Sequence, residues 1–229
     1  AVGFAEAADY RVSGYESFPS GSRFTIRAGA EEISVVFPLP GRFNAGNAAI
    51  AAACAAAAGI GHDAVAAGLA AVGVIPGRFQ QVRGGGVTAV VDYAPTPEAI
   101  TAVIAAAREM SRGRVIVVIG AGGDRDRAKR SAMGAAAAQA DLAVITSDNP
   151  RNEDPQSIMA AVAAGAAGAA ALIEDRLAAI GHAIAEARPG DVVLILGKGH
   201  ERGQQIGDRT VPFDDVEAAA AALAAAHPS

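Results

Sequence analysis

Four short motifs hold most of the side chains that could do chemistry: Asp92-Tyr93-Ala94-Pro95-Thr96-Pro97, Gly120-Ala121-Gly122-Gly123-Asp124-Arg125-Asp126, Ser147-Asp148-Asn149-Pro150-Arg151 and Gly197-Lys198-Gly199-His200-Glu201. In the second, the glycines let backbone N–H groups approach an anion, and Arg125 offers a planar fork to a carboxylate or phosphate. Arg125 also occupies the third glycine position of G-x-G-x-x-G, which makes a hydride-transfer reading weak. The charges that follow, Arg127, Lys129 and Arg130, read equally well as the alternating-charge entrance to a helix. In the third motif an acceptor, Asp148, an amide, Asn149, and a guanidinium, Arg151, surround a turn in which Pro150 forces Asn149 out of helical geometry. Such a loop can hold a zwitterion; it can also be a plain turn and helix cap before Asp154-Pro155. In the fourth, Glu201 can receive an ammonium group. The motif lacks the spacing of a P-loop, and no G-x-x-x-x-G-K-[ST] occurs in the chain. His200 has no second histidine or cysteine at ligand spacing, so it reads as a structural histidine and no metal site is expected.

Two further features lie upstream. Gly41-Arg42-Phe43-Asn44-Ala45-Gly46-Asn47 opens a helix with two asparagines three residues apart, one of which can simply cap it. Arg78, just after Pro76-Gly77, is a lone cation where a phosphate contact and an interdomain salt bridge are both ordinary.

The elements that must position these motifs fall into two textures. Residues 8–40 read as short strands, Tyr10 to Val12, Arg23 to Ile26 and Ile33 to Phe37, with helices following from Asn44 to about Ala58 and from Asp63 to about Val72. Pro76-Gly77 punctuates the chain, and the domain boundary is placed there. Beyond it apolar runs alternate with alanine-rich helices, the pattern of βαβ units on a parallel sheet. The expected strands are Val87 to Val91, Val115 to Ile119, Leu142 to Ile145, Ala170 to Ile173 and Val192 to Leu196; the expected helices are 97–111, 130–139, 155–166, 175–187 and 214–226, with a hairpin around Gly207-Asp208. Four of the five strands run straight into one of the four motifs. The carboxyl ends of parallel strands share one edge of the sheet, so the motifs should converge on one cleft.

Composition narrows the function classes. A 229-residue chain with 52% hydrophobic and 19% charged residues is expected to bury a real core. A net charge of −5 supplies no basic surface for a phosphate backbone, so nucleic acid is not an expected partner. The single Cys54 excludes a disulfide framework and fits a reducing cytoplasm. No apolar run has bilayer-spanning length and no secretion signal is evident, so a soluble, monomeric protein is expected. The chain starts at Ala1 without an initiator methionine and reads as a piece of a longer one.

In order, GRFNAGN, GRFQQV, DYAPTP, GAGGDRDRAKR, SDNPR and GKGHE resemble the Mur ligases, and among them those that add meso-diaminopimelate to a UDP-linked muramoyl dipeptide. The resemblance covers essentially the whole chain. It implies that residues 1–76 are the tail of a central α/β ATPase domain and residues 77–229 a Rossmann-like, mostly parallel sheet domain that binds the incoming amino acid. It also implies ATP and magnesium as cofactors, with the P-loop, the metal ligands and the UDP-binding domain outside this sequence and no catalytic residue assigned within it. Carried across by motif, Arg125, Asp148, Asn149, Pro150, Arg151, Gly197 and Glu201 match diaminopimelate contacts, and Asn44, Asn47, Arg78, Asp92 and Tyr93 match nucleotide-facing positions. Two positions depart from the family pattern: Pro95 stands where a histidine is usual, and Gln80 where a glutamate is common.

The chemistry of the proposed ligand fits these residues. The non-reacting end of diaminopimelate is a zwitterion, for which Arg151 and Arg125 offer carboxylate forks while Asp148, Asn149 and Glu201 are expected to take ammonium protons. Lysine lacks the distal carboxylate and would leave Arg151 unpaired. Three other readings are a lysine or other diamino-acid ligase, a folylpolyglutamate or cyanophycin-type ligase, which is not expected to combine DNPR with GKGHE, and a non-catalytic Mur-like module that partners an amidotransferase.

Overall fold

Val115–Ile119 and Val192–Leu196 each carry five consecutive apolar residues, every one buried, which is what a strand covered on both faces requires. The computed structural model describes residues 1–166 and 170–227. The chain divides into two compact units, Ala1–Val74 and Ile75–Ser229, so the division falls two residues before the Pro76-Gly77 punctuation.

In the first unit β1 (Val2–Gly3), β2 (Tyr10–Phe18), β3 (Gly21–Ala28) and β4 (Glu31–Phe37) form a sheet in chain order, antiparallel except for the β1–β2 pair. Phe24, Ile26, Ile33, Val35 and Phe37 alternate inward and meet helix α1 (Arg42–Ala57) through Ala45, Ala48, Ala49 and Ala52. That i, i+3, i+4, i+7 stripe of small residues suits a helix seated close on a sheet. Helix α2 (His62–Ala70) adds Val65 and Leu69 to the same core. The capping expectation for the asparagines does not hold: Gly41 is the N-cap residue of α1 and supplies no side-chain cap, while the buried Asn44 turns back to donate to the Pro40 carbonyl oxygen at 2.8 Å.

The second unit is built on a six-stranded sheet of order β5-β6-β10-β7-β8-β9, with β6 (Val87–Asp92), β7 (Val115–Ile119), β8 (Leu142–Ile145), β9 (Ala170–Leu172) and β10 (Val192–Leu196) parallel. The sequence reading missed β5 (Gln80–Gly84), an antiparallel edge strand paired to β6 across the Gly85-Gly86 turn. Its composition, Gln-Gln-Val-Arg-Gly, has no apolar alternation, and only pairing with β6 makes it a strand. Helices α3 (Pro97–Met110), α4 (Lys129–Ala137) and α5 (Pro155–Ala163) pack one on the next. Helices α6 (Arg176–Glu186) and α7 (Asp215–Ala226) pack on each other and share a separate core with Val87, Ala89, Val91, Ile116, Val118, Val193 and Ile195. The chain runs outward from β7 to β9 and then returns to insert β10 between β6 and β7, where connections change direction and a crevice opens at the strand ends. The expected hairpin is β11 (Gly203–Ile206) paired with β12 (Arg209–Pro212).

Candidate functional site

The four motifs leave the carboxyl ends of β6, β7, β8 and β10 and meet around a cleft of about 290 Å³. Tyr93 and Pro95 enter it from the first motif, Gly120, Ala121, Gly122 and Arg125 from the second, Asp148, Asn149 and Arg151 from the third, and Gly197 and Glu201 from the fourth. Lys129 and Met133 of α4 complete the wall.

The DNPR loop is held from both sides. Gly123 N–H donates to the Asn149 carbonyl at 2.9 Å, and a Cβ on Gly123 would lie 1.9 Å from the Pro150 carbonyl oxygen, so only glycine permits this approach. On the other side Arg151 N–H donates to Gln205 O at 3.1 Å and Gly207 N–H to Arg151 O at 2.7 Å, a bridge that ties the loop to the β11–β12 hairpin. Arg151 itself has φ 51, a left-handed conformation that costs an L-residue roughly 1–2 kcal/mol and is retained by these flanking bonds. Its Nη1 donates to the Gly123 carbonyl at 2.7 Å, and the residue lines the cleft. Asp154 caps α5 at the Ser157 N–H, so this segment is a turn and cap as well as a cleft wall.

The same cleft holds a buried polar knot. Lys198, with 0% exposure, places Nζ 3.1 Å from Asn149 Oδ1 and 3.5 Å from both Asp148 Oδ1 and Glu201 Oε2. Asn149 Nδ2 donates to Glu201 Oε2 at 2.8 Å, and Gln205 N–H donates to Asn149 Oδ1 at 2.9 Å. The Asn149 oxygen thus already accepts from two donors, and its second Nδ2 hydrogen is a further donor. Gly197, at φ 115, leaves room for the Asp148 carboxylate, whose Oδ2 a Cβ would meet at 2.7 Å. Behind the knot, Arg176 and Asp215 form a fully buried two-pronged pair at 2.8 and 2.7 Å, and Arg176 Nη2 also donates to Leu196 O. Burial opposes charge on Arg176, but the Asp215 carboxylate more than offsets it, with smaller help from Asp148 and Glu201, and its pKa lies above the ordinary arginine value.

The second motif divides between cleft and scaffold. Arg125 is exposed at the cleft mouth. Arg130, buried, pairs with Glu153 at 2.8 and 3.0 Å, Arg127 joins the same carboxylate at 3.0 Å, and Asp124 N–H donates to it at 2.6 Å. The Arg130 bonds first, then the Asp124 amide, pull the Glu153 pKa down to about 2. Arg130, buried, therefore binds the motif to the start of α5, Arg127 reaches the same carboxylate from solvent, and Lys129 turns into the cleft and donates to the Pro95 carbonyl at 3.0 Å.

The nucleotide candidates are divided between the two units. Asn44 and Asn47 belong to the first unit; Arg78, Asp92 and Tyr93 belong to the second. Burial pushes the Asp92 carboxyl up to about 6, opposed by the Phe79 N–H that donates to it at 2.7 Å and by Arg78. Arg78 lies over the Tyr93 ring with its guanidinium carbon 4.8 Å from the centroid and donates to Tyr93 O at 3.2 Å. His200 packs on the same ring at 5.8 Å between centroids. Gln80 Oε1 accepts from Gly77 N–H at 2.9 Å, a task that a carboxamide and a carboxylate perform alike.

Sequence reasoning missed Lys198 and Arg176. Lysine between two glycines signals nothing by spacing, and Arg176 looks like any charged residue at a helix start. Among the described residues no cluster of three or more His, Cys, Asp or Glu is arranged to hold a metal ion, and no helix is long and apolar enough to cross a membrane.

Comparison with known proteins gives consistent results. Across 218 residues the chain is 48% identical to a UDP-N-acetylmuramoyl-L-alanyl-D-glutamate–2,6-diaminopimelate ligase of Streptomyces avermitilis, covering 91% of this chain and 43% of that protein. It is 45% identical to the protein of the same name from Alkalilimnicola ehrlichii, covering 94% and 44%. A solved structure of a ligase with this name aligns with TM-score 0.68 at 36% identity, over 98% of this chain and 47% of that one. A Mycobacterium tuberculosis folylpolyglutamate synthase aligns with TM-score 0.69 at 25% identity, over 83% and 46%. The chain spans less than half the length of these relatives. The profile of the Mur ligase, glutamate ligase domain matches residues 77–199, more than half of the chain, and with the parallel sheet and convergent loops described above this establishes that the chain belongs to the Mur ligase family.

Proposed function

We propose that this chain is the amino-acid-binding part of an ATP-dependent amide ligase of peptidoglycan precursor synthesis, acting in the cytoplasm, which adds meso-diaminopimelate to the D-glutamate γ-carboxylate of UDP-MurNAc-L-Ala-D-Glu. Residues 77–229 bind the amino acid, and residues 1–76 are the tail of the ATP-binding domain. The observation that carries this reading is the presence of both charges in the cleft lining. Arg151 and Arg125 line it together with two carboxylates, Asp148 and Glu201, that share a single buried ammonium. That leaves one negative charge for a ligand ammonium, in the same cleft as a fork for a ligand carboxylate. A zwitterion satisfies both.

ATP would activate the γ-carboxylate as an acyl phosphate. This chain's contribution is orientation. The distal carboxylate is held by Arg151 and Arg125, and the distal ammonium by Glu201 and Asp148. The far amine then attacks the acyl carbon, the new C–N bond forms as the C–O bond to phosphate breaks, and the nitrogen loses its proton. Fixing the amine in this way replaces a bimolecular encounter with a positioned one.

Isothermal titration of the chain with meso-diaminopimelate, L-lysine and pimelate tests the reading. Diaminopimelate should bind most tightly, because only it offers both charges at the distal end. Equal affinity for pimelate would refute the ammonium site, and equal affinity for lysine the carboxylate site.

A further inference from the structure

Of the 19 cationic side chains in this protein, 17 are arginine, and the two lysines, Lys129 and Lys198, both belong to the cleft region. A chain that otherwise uses arginine places the compact ammonium where a guanidinium would need more room. Lys198 lies at 0% exposure against the cleft-lining Asp148, Asn149 and Glu201. Its one hydrogen bond of ordinary length goes to Asn149 Oδ1, at 3.1 Å, and the carboxylates of Asp148 and Glu201 stand farther away at 3.5 Å.

We infer that Lys198 is a positioning residue of the amino-acid site: its buried ammonium fixes the Asn149 carboxamide oxygen-inward and so turns an N–H toward the ligand carboxylate. The argument rests on donor and acceptor identity. With the oxygen inward, Asn149 accepts from Lys198 Nζ and Gln205 N–H and donates to Glu201 Oε2. Turned over, its Nδ2 would face two donors and its oxygen would face a carboxylate, so three favourable contacts would become repulsive. The remaining Nδ2 hydrogen is then a fixed donor beside Arg151 in the cleft wall, suited to a carboxylate and unsuited to an ammonium. The groups facing this knot from the surrounding elements are Arg151 on its own loop, Glu201 on the last motif, Arg176 on α6 and Asp215 on α7. Arg176 and Asp215 are committed to each other, so Lys198 is the cation that, together with the Gln205 N–H, sets the amide.

The inference rests on the diaminopimelate reading above. It deepens that reading by adding a carboxylate-selecting donor and naming what orients it.

The experiment is titration of the chain and its Lys198→Met variant with meso-diaminopimelate and with L-lysine, alongside the side-chain amide signals of Asn149 in nitrogen-15 NMR spectra. With Lys198 removed the carboxamide keeps only its Gln205 and Glu201 contacts, and its orientation is less firmly held. Diaminopimelate affinity should fall by about tenfold or more, lysine affinity should fall less so that the ratio collapses, and the Asn149 amide protons should lose their distinct, slowly exchanging pair. A generally loosened fold would weaken both ligands equally. An unchanged ratio with an unchanged amide signature would overturn the inference while leaving the diaminopimelate reading standing. If the native chain binds neither amino acid, that reading fails and the inference with it. Should Lys198→Met fail to fold, Asn149→Asp decides the matter: it keeps an acceptor for Lys198 and Gln205 but presents no N–H, so retention of the native preference for diaminopimelate would refute the role assigned here.

Discussion

Replacing Arg151 by alanine tests the link from geometry to substrate choice most directly. Arg151 is half-buried, its Nη1 is spent on the Gly123 carbonyl, and the residue lines the cleft proposed to hold a ligand carboxylate. Hydrogen bonds to charged groups contribute about 1.5–3 kcal/mol net, and in a cleft open to water the freed carboxylate regains solvent, so about 2–3 kcal/mol should be lost on Arg151→Ala. At 1.4 kcal/mol per decade this is roughly a 30- to 150-fold rise in Kd for diaminopimelate. Lysine, with no carboxylate at that end, should change by less than about threefold. Two controls separate binding from folding. Alanine retains a Cβ, so the cost of φ 51 is unchanged and folding loses only the Gly123 contact, about 1 kcal/mol. Arg151→Gly removes the left-handed penalty and should recover roughly that much stability with no recovery of binding. Arg151→Lys should rescue in part, since an ammonium cannot copy the fork. Calorimetric titration of each variant with both amino acids is the assay. A parallel loss for both ligands, or no loss for either, would reduce the DNPR loop to a structural turn and remove the basis for preferring diaminopimelate.

Two further predictions concern buried charge. The Asp92 pKa is raised to about 6, above the ordinary 3.8, so the folded chain holds a proton there that the unfolded chain has released. Stability should accordingly fall as pH rises from about 4 to about 6 and level off above, by about 3 kcal/mol for a shift of this size; Asp92→Asn, which keeps an acceptor for Phe79 N–H, should flatten that slope in urea titrations, and an unchanged slope would show that Asp92 is not its source. Arg176→Met should cost about 3–5 kcal/mol in urea unfolding by stranding Asp215, and Arg176→Met with Asp215→Leu should recover most of it; a single variant as stable as the native chain would contradict the buried pair.

The sequence by itself determined the parallel sheet, its five strands and the edge on which the motifs gather. Apolar runs such as Val192–Leu196 and the Thr96-Pro97 and Asp154-Pro155 helix starts are local signals, set by side-chain period and by capping at a few residues' range. Motif order was equally legible, and with it the family. The sequence did not reveal β5, whose polar residues become a strand only by pairing with β6, nor the insertion of β10 between β6 and β7. That insertion brings Glu201 against Asn149 across 52 residues of chain and seals Lys198 beneath them. Tertiary packing alone decided which end of the Asn149 amide faces the ligand and which of Arg125, Arg127 and Arg130 stands free. The Asn149 amide is oriented by donors and acceptors from β10's loop and the hairpin, and Arg127 and Arg130 are claimed by Glu153 near the start of α5, contacts between residues distant in the chain that no local periodicity encodes.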